Sequence, residues 1–455
     1  VNARARLHPL RAVLGALVIA AALAALPPAA RATTIERVVS PKGITAWLVR
    51  EPSVPLVAIE FAFRGGATQD PVDKPGVANL MVSLLDEGAG DIESKRFHEL
   101  VEANAIELNI TATRDYISGS LRTLSENQDE AFKLLRLALN EPRFDSEDVE
   151  RIREQILSGL RRATTSPNEI ANQRWWSTAF PDHAYGRPVR GTLHSVPTIT
   201  AEDLKTAAHN LFARDNLKIG IVGNIDAESA GKLIDTVFGD LPAKAKLSTV
   251  PTAMPKGLGQ RIAIELDVPQ SVLMIGAPGV PRKDPDFVAA FVLNHVLGGS
   301  AFSSRLYKEV RESRGLAYSV YSAVMPLDFT SLFISGTATR ADRANQTLEV
   351  MEAEIRKLAE TGPTQEELDK AKSFLTGSYA LRFDTSVKIA EQLVQIQLED
   401  LGIDYIEKRN GLVEAITLDD VKRVAKRMLQ GNMLVTVVGR SMAPAQAAKS
   451  AAGGG

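Results

Sequence analysis

Histidine and cysteine are the side chains best suited to grip a transition metal or act as a nucleophile near neutral pH. This chain of 455 residues has no cysteine and six histidines: His8, His98, His183, His194, His209 and His295. The absence of cysteine excludes a thiol nucleophile, a disulfide framework and a cysteine-linked lipid anchor. Leaving His8 aside, no two histidines fall within a helical turn or a tight loop of each other, the spacing that lets a pair hold one ion. His183 reads as a hydrogen-bonded structural histidine. Asp86 and Glu87 read equally well as acids available to a metal or as a solvated helix end. Glu147, Asp148, Glu150 and Glu154 crowd the start of a helix, where the macrodipole favours acids without any metal.

The elements that would have to position a site are written twice along the chain. The first half closes on Ile199-Thr200-Ala201-Glu202-Asp203-Leu204-Lys205, a helical run, and Asn216-Leu217-Lys218-Ile219-Gly220-Ile221-Val222-Gly223. The second closes on Ile416-Thr417-Leu418-Asp419-Asp420-Val421-Lys422, a helical run, and Asn432-Met433-Leu434-Val435-Thr436-Val437-Val438-Gly439. Each predicts a Thr-capped helix feeding a buried strand that stops at Gly. The openings match more loosely: a strand over 54–63, then Gly65-Gly66, Asp70-Pro71 and a helix, against a strand over 271–275, then Pro278-Gly279, Asp284-Pro285 and a helix. Amphipathic helices over 147–157 and 366–375 occupy the two middles. Such repetition predicts an α+β protein of two homologous α/β sandwich domains, each a mixed sheet covered by helices. The expected boundaries are 33–240 and 259–440, with a proline-marked linker over 241–258 and a disordered tail over 441–455.

Arg4, Arg6 and Arg11, the apolar run Val13 to Leu26 and the small-residue site Ala30-Arg31-Ala32 predict a cleavable export signal over 1–32, and hence a periplasmic protein with no membrane attachment once it is removed. Losing the four arginines of that segment takes the formal charge from −2 to about −6. With no basic stripe, nucleic acid is not an expected partner.

Three segments give the chain a family likeness. Phe63-Arg64-Gly65-Gly66-Ala67 through Pro75-Gly76-Val77-Ala78, Ala179-Phe180-Pro181-Asp182-His183-Ala184-Tyr185-Gly186-Arg187-Pro188-Val189-Arg190-Gly191-Thr192, and Ser304-Arg305-Leu306-Tyr307-Lys308-Glu309-Val310-Arg311-Glu312-Ser313-Arg314-Gly315-Leu316-Ala317-Tyr318-Ser319 resemble the pitrilysin/insulinase superfamily of inverted-motif zinc peptidases. The likeness is to its short two-domain members, similar to the noncatalytic subunit of processing-peptidase-like bacterial enzymes. In that family an H-x-x-E-H helix places two imidazoles on one face around zinc, with the Glu activating water. The resemblance maps the two His onto Asn79 and Ser83, the catalytic Glu onto Val82 and a distal Glu ligand onto Gly159, so no zinc is expected in this chain.

The same resemblance implies a clam-shell chamber of four domains, of which this chain is half. An Arg and a Tyr of the last domain reach across it to hold the substrate carbonyl, and they map onto Arg311 and Tyr318. Arg305 and Arg314 compete for the arginine role. The implied partner is a homologous catalytic subunit bearing H-x-x-E-H and its zinc, and the implied substrate an unfolded peptide paired by its backbone to a sheet edge in that partner. The expected function is thus a noncatalytic, substrate-binding subunit of a heterodimeric zinc metalloendopeptidase. The alternative is a non-enzymatic peptide-binding or scaffold protein of the same fold. An independent hydrolase would need a nucleophile or base that the sequence does not supply. Val296-Leu297-Gly298-Gly299-Ser300 reads either as a flexible entrance loop or as a helix stop followed by a new cap.

Overall fold

The computed structural model describes residues 34–440. The expected signal over 1–32 and the tail over 441–455 lie outside those residues. Among the described residues no helix is long and apolar enough to cross a membrane.

Short β-branched and aromatic runs bounded by Gly and turn residues form the strands. In the first half these are β1 (Ile35–Val39), β2 (Thr45–Arg50), β3 (Leu56–Arg64), the ribbon β4 (Gly88–Ala89) and β5 (Ile92–Glu93), β6 (Glu107–Ala112), β7 (Tyr116–Leu124) and β8 (Leu217–Gly223). Its helices are α1 (Val77–Val82), α2 (Ser94–Ala103), α3 (Gln128–Asn140), α4 (Ser146–Ala163), α5 (Pro167–Ala179), α6 (Ala201–Leu211) and α7 (Ala227–Phe238). The second half contains β9 (Arg261–Glu265), β10 (Gln270–Pro278), α8 (Phe287–Asn294), β11 (Ala317–Pro326), β12 (Ser331–Arg340), α9 (Ala344–Thr361), α10 (Gln365–Gly377), α11 (Ser386–Leu398), α12 (Tyr405–Glu414), α13 (Leu418–Leu429) and β13 (Leu434–Gly439).

The sheets run β1-β2-β8-β3-β7-β6 and β11-β12-β10-β13-β9. Setting β2, β8, β3, β7 and β6 against β9, β13, β10, β12 and β11 gives one topology. In each set the first pair is parallel and the others antiparallel. The protein is α+β, with two mixed sheets covered by helices. Thr200 with Asp203, and Thr417 with Asp420, form matching capping boxes at the starts of α6 and α13.

Both faces of each sheet are apolar, and two different sources cover them. In β3, Ile59, Phe61 and Phe63 enter the core beneath the helices of their own half, while Ala62 on the opposite face meets Val394 and Leu398 of α11, from the second half. Helix α11 lies on β8 and β3. Helix α5 of the first half lies in turn on β13 and β10 of the second. Small residues permit both approaches: a Cβ on Gly220 would stand 2.6 Å from the carbonyl oxygen of Ala390, and one on Gly276 would collide with the indole of Trp175. The two halves therefore exchange a helix.

The connection between the halves is fastened along its length. Ala245 N donates to Asp215 Oδ1 (2.9 Å) and Ser248 N to Gln69 Oε1 (2.7 Å). Further along, Ala253 N donates to Phe329 O and Lys256 N to Ala179 O, both at 2.8 Å.

Candidate functional site

Helix α1 begins where Gly76 takes a left-handed conformation (φ 105°) that a side chain would strain. Asp70 caps the helix, accepting from Gly76 N at 2.7 Å and Ala78 N at 2.9 Å. Burial pushes its carboxyl up to about 7, against those bonds and the nearby Arg187 cation. The loop ending at Gly191 leaves no room for a Cβ on Gly76, so α1 is locked against the segment containing Arg187 and Arg190.

Of the positions mapped to metal ligands, Asn79 and Ser83 share a half-buried face one turn apart, and Ser83 Oγ donates to Asn79 O at 2.8 Å. Val82 is buried. Gly159 lies on α4, which packs against α1, and the point where its Cβ would stand is 2.5 Å from Arg190 Nη2. A neutral amide, a hydroxyl, an isopropyl group and a glycine beside a guanidinium form a donor set that does not fit Zn²⁺. Among the described residues no group of three or more His, Cys, Asp or Glu is placed to hold a metal ion.

Arg311 and Tyr318 come together. Before Tyr318 the chain forms a short helical turn at 305–306 continued by a π-helical segment, Tyr307–Glu312. Gly315 then takes φ 59° and hands the chain to β11, the edge strand of its sheet, with Tyr318 as its second residue. The Arg311 guanidinium is sandwiched between the rings of Tyr307 (5.0 Å to the centroid) and Tyr318 (4.5 Å). Tyr318 is 80% exposed. The competing arginines are occupied elsewhere: Arg305 makes a bidentate pair with Glu367 at 2.6 and 2.7 Å, and Arg314 pairs with Glu309. Arg311 makes no ion pair with any described residue, which leaves its donors free beside the exposed phenol.

The segment 296–300 is not an open loop. His295–Gly299 is a π-helical continuation of α8, with Val296, Leu297 and Gly298 buried. A Cβ on Gly298 would press on the Ser322 main chain and one on Gly299 on Asn294, so these glycines serve close packing.

Sequence reasoning missed a buried polar junction between the halves. Tyr185 Oη donates to Asp115, 2.8 Å from both carboxylate oxygens, and accepts from Phe329 N at 3.0 Å. Asp328 N donates to Asp115 Oδ2 at 3.1 Å, while Asp328 itself accepts from Arg64 Nη1 (2.7 Å) and from the Tyr116 hydroxyl. Burial pushes Asp115 up to about 6. In sequence, nothing about Arg114-Asp115 names the distant partners of this carboxylate, and the aromatic loop containing Tyr185 was the available signal. His183 is structural, with Nε2 2.9 Å from Pro251 O and Nδ1 accepting from Tyr185 N.

Comparison with known proteins matches both halves. The family profile "Insulinase (Peptidase family M16)" covers residues 46–193 and "Peptidase M16 inactive domain" covers 198–375. A Helicobacter pylori protein called "Non-peptidase homolog YmxG" is 28% identical over 336 residues, 73% of this chain and 77% of that protein. An "uncharacterized zinc protease" of Streptomyces coelicolor is 26% identical over 415 residues, 89% of this chain and 90% of its own. Among solved structures, a peptidase M16 inactive domain from Pseudomonas fluorescens superposes with a TM-score of 0.84 at 28% identity, covering 90% of this chain and 98% of that one. A protease from Helicobacter pylori has a TM-score of 0.81 at 18% identity, covering 90% and 99%, a likeness of fold.

Proposed function

From the premise that the chain belongs to the M16 peptidase superfamily as a two-domain member, we propose that it is the noncatalytic, substrate-binding subunit of a heterodimeric zinc metalloendopeptidase acting on unfolded peptides in the periplasm. The observation that carries this reading is the Arg311–Tyr318 pair: stacked at 4.5 Å, with Tyr318 exposed at a sheet edge and Arg311 without a carboxylate partner among the described residues. A guanidinium N–H and a phenol O–H side by side are the donors that stabilise a carbonyl oxygen as it gains negative charge. Two domains make half of a chamber. The other half would be a homologous subunit with H-x-x-E-H, whose zinc would face this pair. Mixing the purified chain with such a subunit should produce chelator-sensitive cleavage of a quenched fluorescent peptide that neither protein gives alone. Chelator-sensitive hydrolysis by this chain by itself would overturn the proposal.

A second reading, a peptide-binding or scaffold protein outside any catalytic complex, draws support from the name "Non-peptidase homolog" carried by one relative. It requires that mixing the chain with an H-x-x-E-H subunit produce no cleavage, with Arg311 and Tyr318 either intact or changed.

A further inference from the structure

Around Gly159 the charge has a sign opposite to that of a metal-ligand set. Arg190 Nη2 lies 2.5 Å and Arg162 Nη2 3.8 Å from the point where a Cβ on that glycine would stand, so two guanidinium ends converge on one spot. Both side chains are exposed, and neither makes an ion pair with any described residue; Arg162 donates to Ser158 Oγ at 2.8 Å. The adjoining cavity, about 160 Å³, is lined by Arg190, Arg187 and Arg114. Arg187 donates through Nη2 to Thr68 O and Asp70 O (3.3 and 3.1 Å), and its Nε is buried without a partner. Arg114 lies over the Trp176 ring, 3.7 Å from its centroid, and burial lowers it to about 10. Its neighbour Asp115 is turned to Tyr185 and Asp328. Glu169 is the acid among the residues lining the cavity.

Asp70 lies near Arg187 and Asp115 near Arg114, but Arg162 and Arg190 have no carboxylate partner among the described residues, and like charges so placed are stabilised by an anion that shares their donors. We infer that the Arg162–Arg190 pair over Gly159, backed by Arg187 and Arg114, is a binding site for a peptide carboxylate. The choice of a peptide as the bearer of that carboxylate rests on the peptide-binding reading above. Two sources share the chemistry: the free C-terminus of a peptide, and an Asp or Glu side chain within it.

The test is direct binding to the lone chain, which keeps a failure here separate from any failure of turnover in a complex. Three fluorescein-labelled nonapeptides would be titrated by anisotropy: one ending in a free carboxylate, its C-terminal amide, and the amide with one internal Glu. Tighter binding of the free acid than of the amide, by about tenfold, supports the proposal and assigns the C-terminus. Tighter binding of the Glu-containing amide alone supports it and assigns the side chain. Arg162→Gln with Arg190→Gln should erase that preference while leaving the plain amide unchanged. Gly159→Glu should erase it as well, by presenting an internal carboxylate to both guanidiniums. Equal affinity for all three peptides, or a preference that survives both variants, overturns the proposal.

Discussion

Gln397 of the second half donates its side-chain amide to the main-chain carbonyl of Ile219 in the first, 2.9 Å away and buried. The reciprocal bond runs from Trp175 Nε1 to Leu434 O, at 3.2 Å. Each is the polar anchor of an exchanged helix on the sheet it covers. We expect polypeptides ending at 258 and starting at 259 to be insoluble or molten when made separately, and to fold when made together. Independent cooperative unfolding of either piece would show that the exchange is dispensable. In the intact chain, Gly276→Val would drive a side chain into Trp175 and should cost about 1–3 kcal/mol, read as a lowered urea midpoint.

In the proposed heterodimer, Arg311→Ala and Tyr318→Phe are expected to lower turnover by about 10²- to 10³-fold, the usual effect of removing one oxyanion donor. The exposure of Tyr318 means that its hydroxyl contributes little to folding. Melting temperature and subunit affinity should hardly change. Unchanged turnover in both variants would reduce the pair to surface residues.

Acid should strengthen the junction between the halves. The Asp115 carboxyl is raised from 3.8 to about 6 in the folded protein, so the folded chain holds its proton more tightly than the unfolded one. Stability from this group therefore grows as pH falls through about 6 toward about 4, and the gain is absent above about pH 7. Asp115→Asn removes the titration. The urea midpoint of the natural protein should rise relative to that of the variant between about pH 7 and about pH 4.5. Parallel curves would rule out Asp115 as the titrating group.

Restoring a metal site should take one change more than the ligands suggest. Asn79→His, Val82→Glu, Ser83→His and Gly159→Glu rebuild the family's set, yet Arg190 would remain beside the new carboxylate. We expect weak zinc binding by the fourfold variant, improved by about tenfold or more on adding Arg190→Ala, because a cation competing for a ligand is removed. Equal affinities in a zinc titration would show that the guanidinium moves aside freely.

The sequence carried the ends of the two halves well, since capping boxes and short apolar strands are local signals. Thr200 and Thr417 sit at the helix starts expected of them, and Leu217–Gly223 and Leu434–Gly439 are strands. It carried the exchange of α5 and α11 not at all, because an apolar helix face states that something covers it and never what. The pair Arg311 and Tyr318 was legible through family likeness, but the reason Arg311 is free lay in partners distant along the chain, such as Glu367 for Arg305. The arginines around Gly159 were hidden for the same reason: Arg162 and Arg190 are 28 positions apart in sequence and meet through the packing of a loop on a helix.

The fastened linker has a mechanical consequence. With Ser248, Ala253 and Lys256 tied to Gln69, Phe329 and Ala179, and with a roof beam from each half bolted across the other, the chain has no slack joint at its middle. In the proposed heterodimer, a jaw opening for substrate would then swing at the seam with the second molecule, and this protein would move as one arm of the tongs.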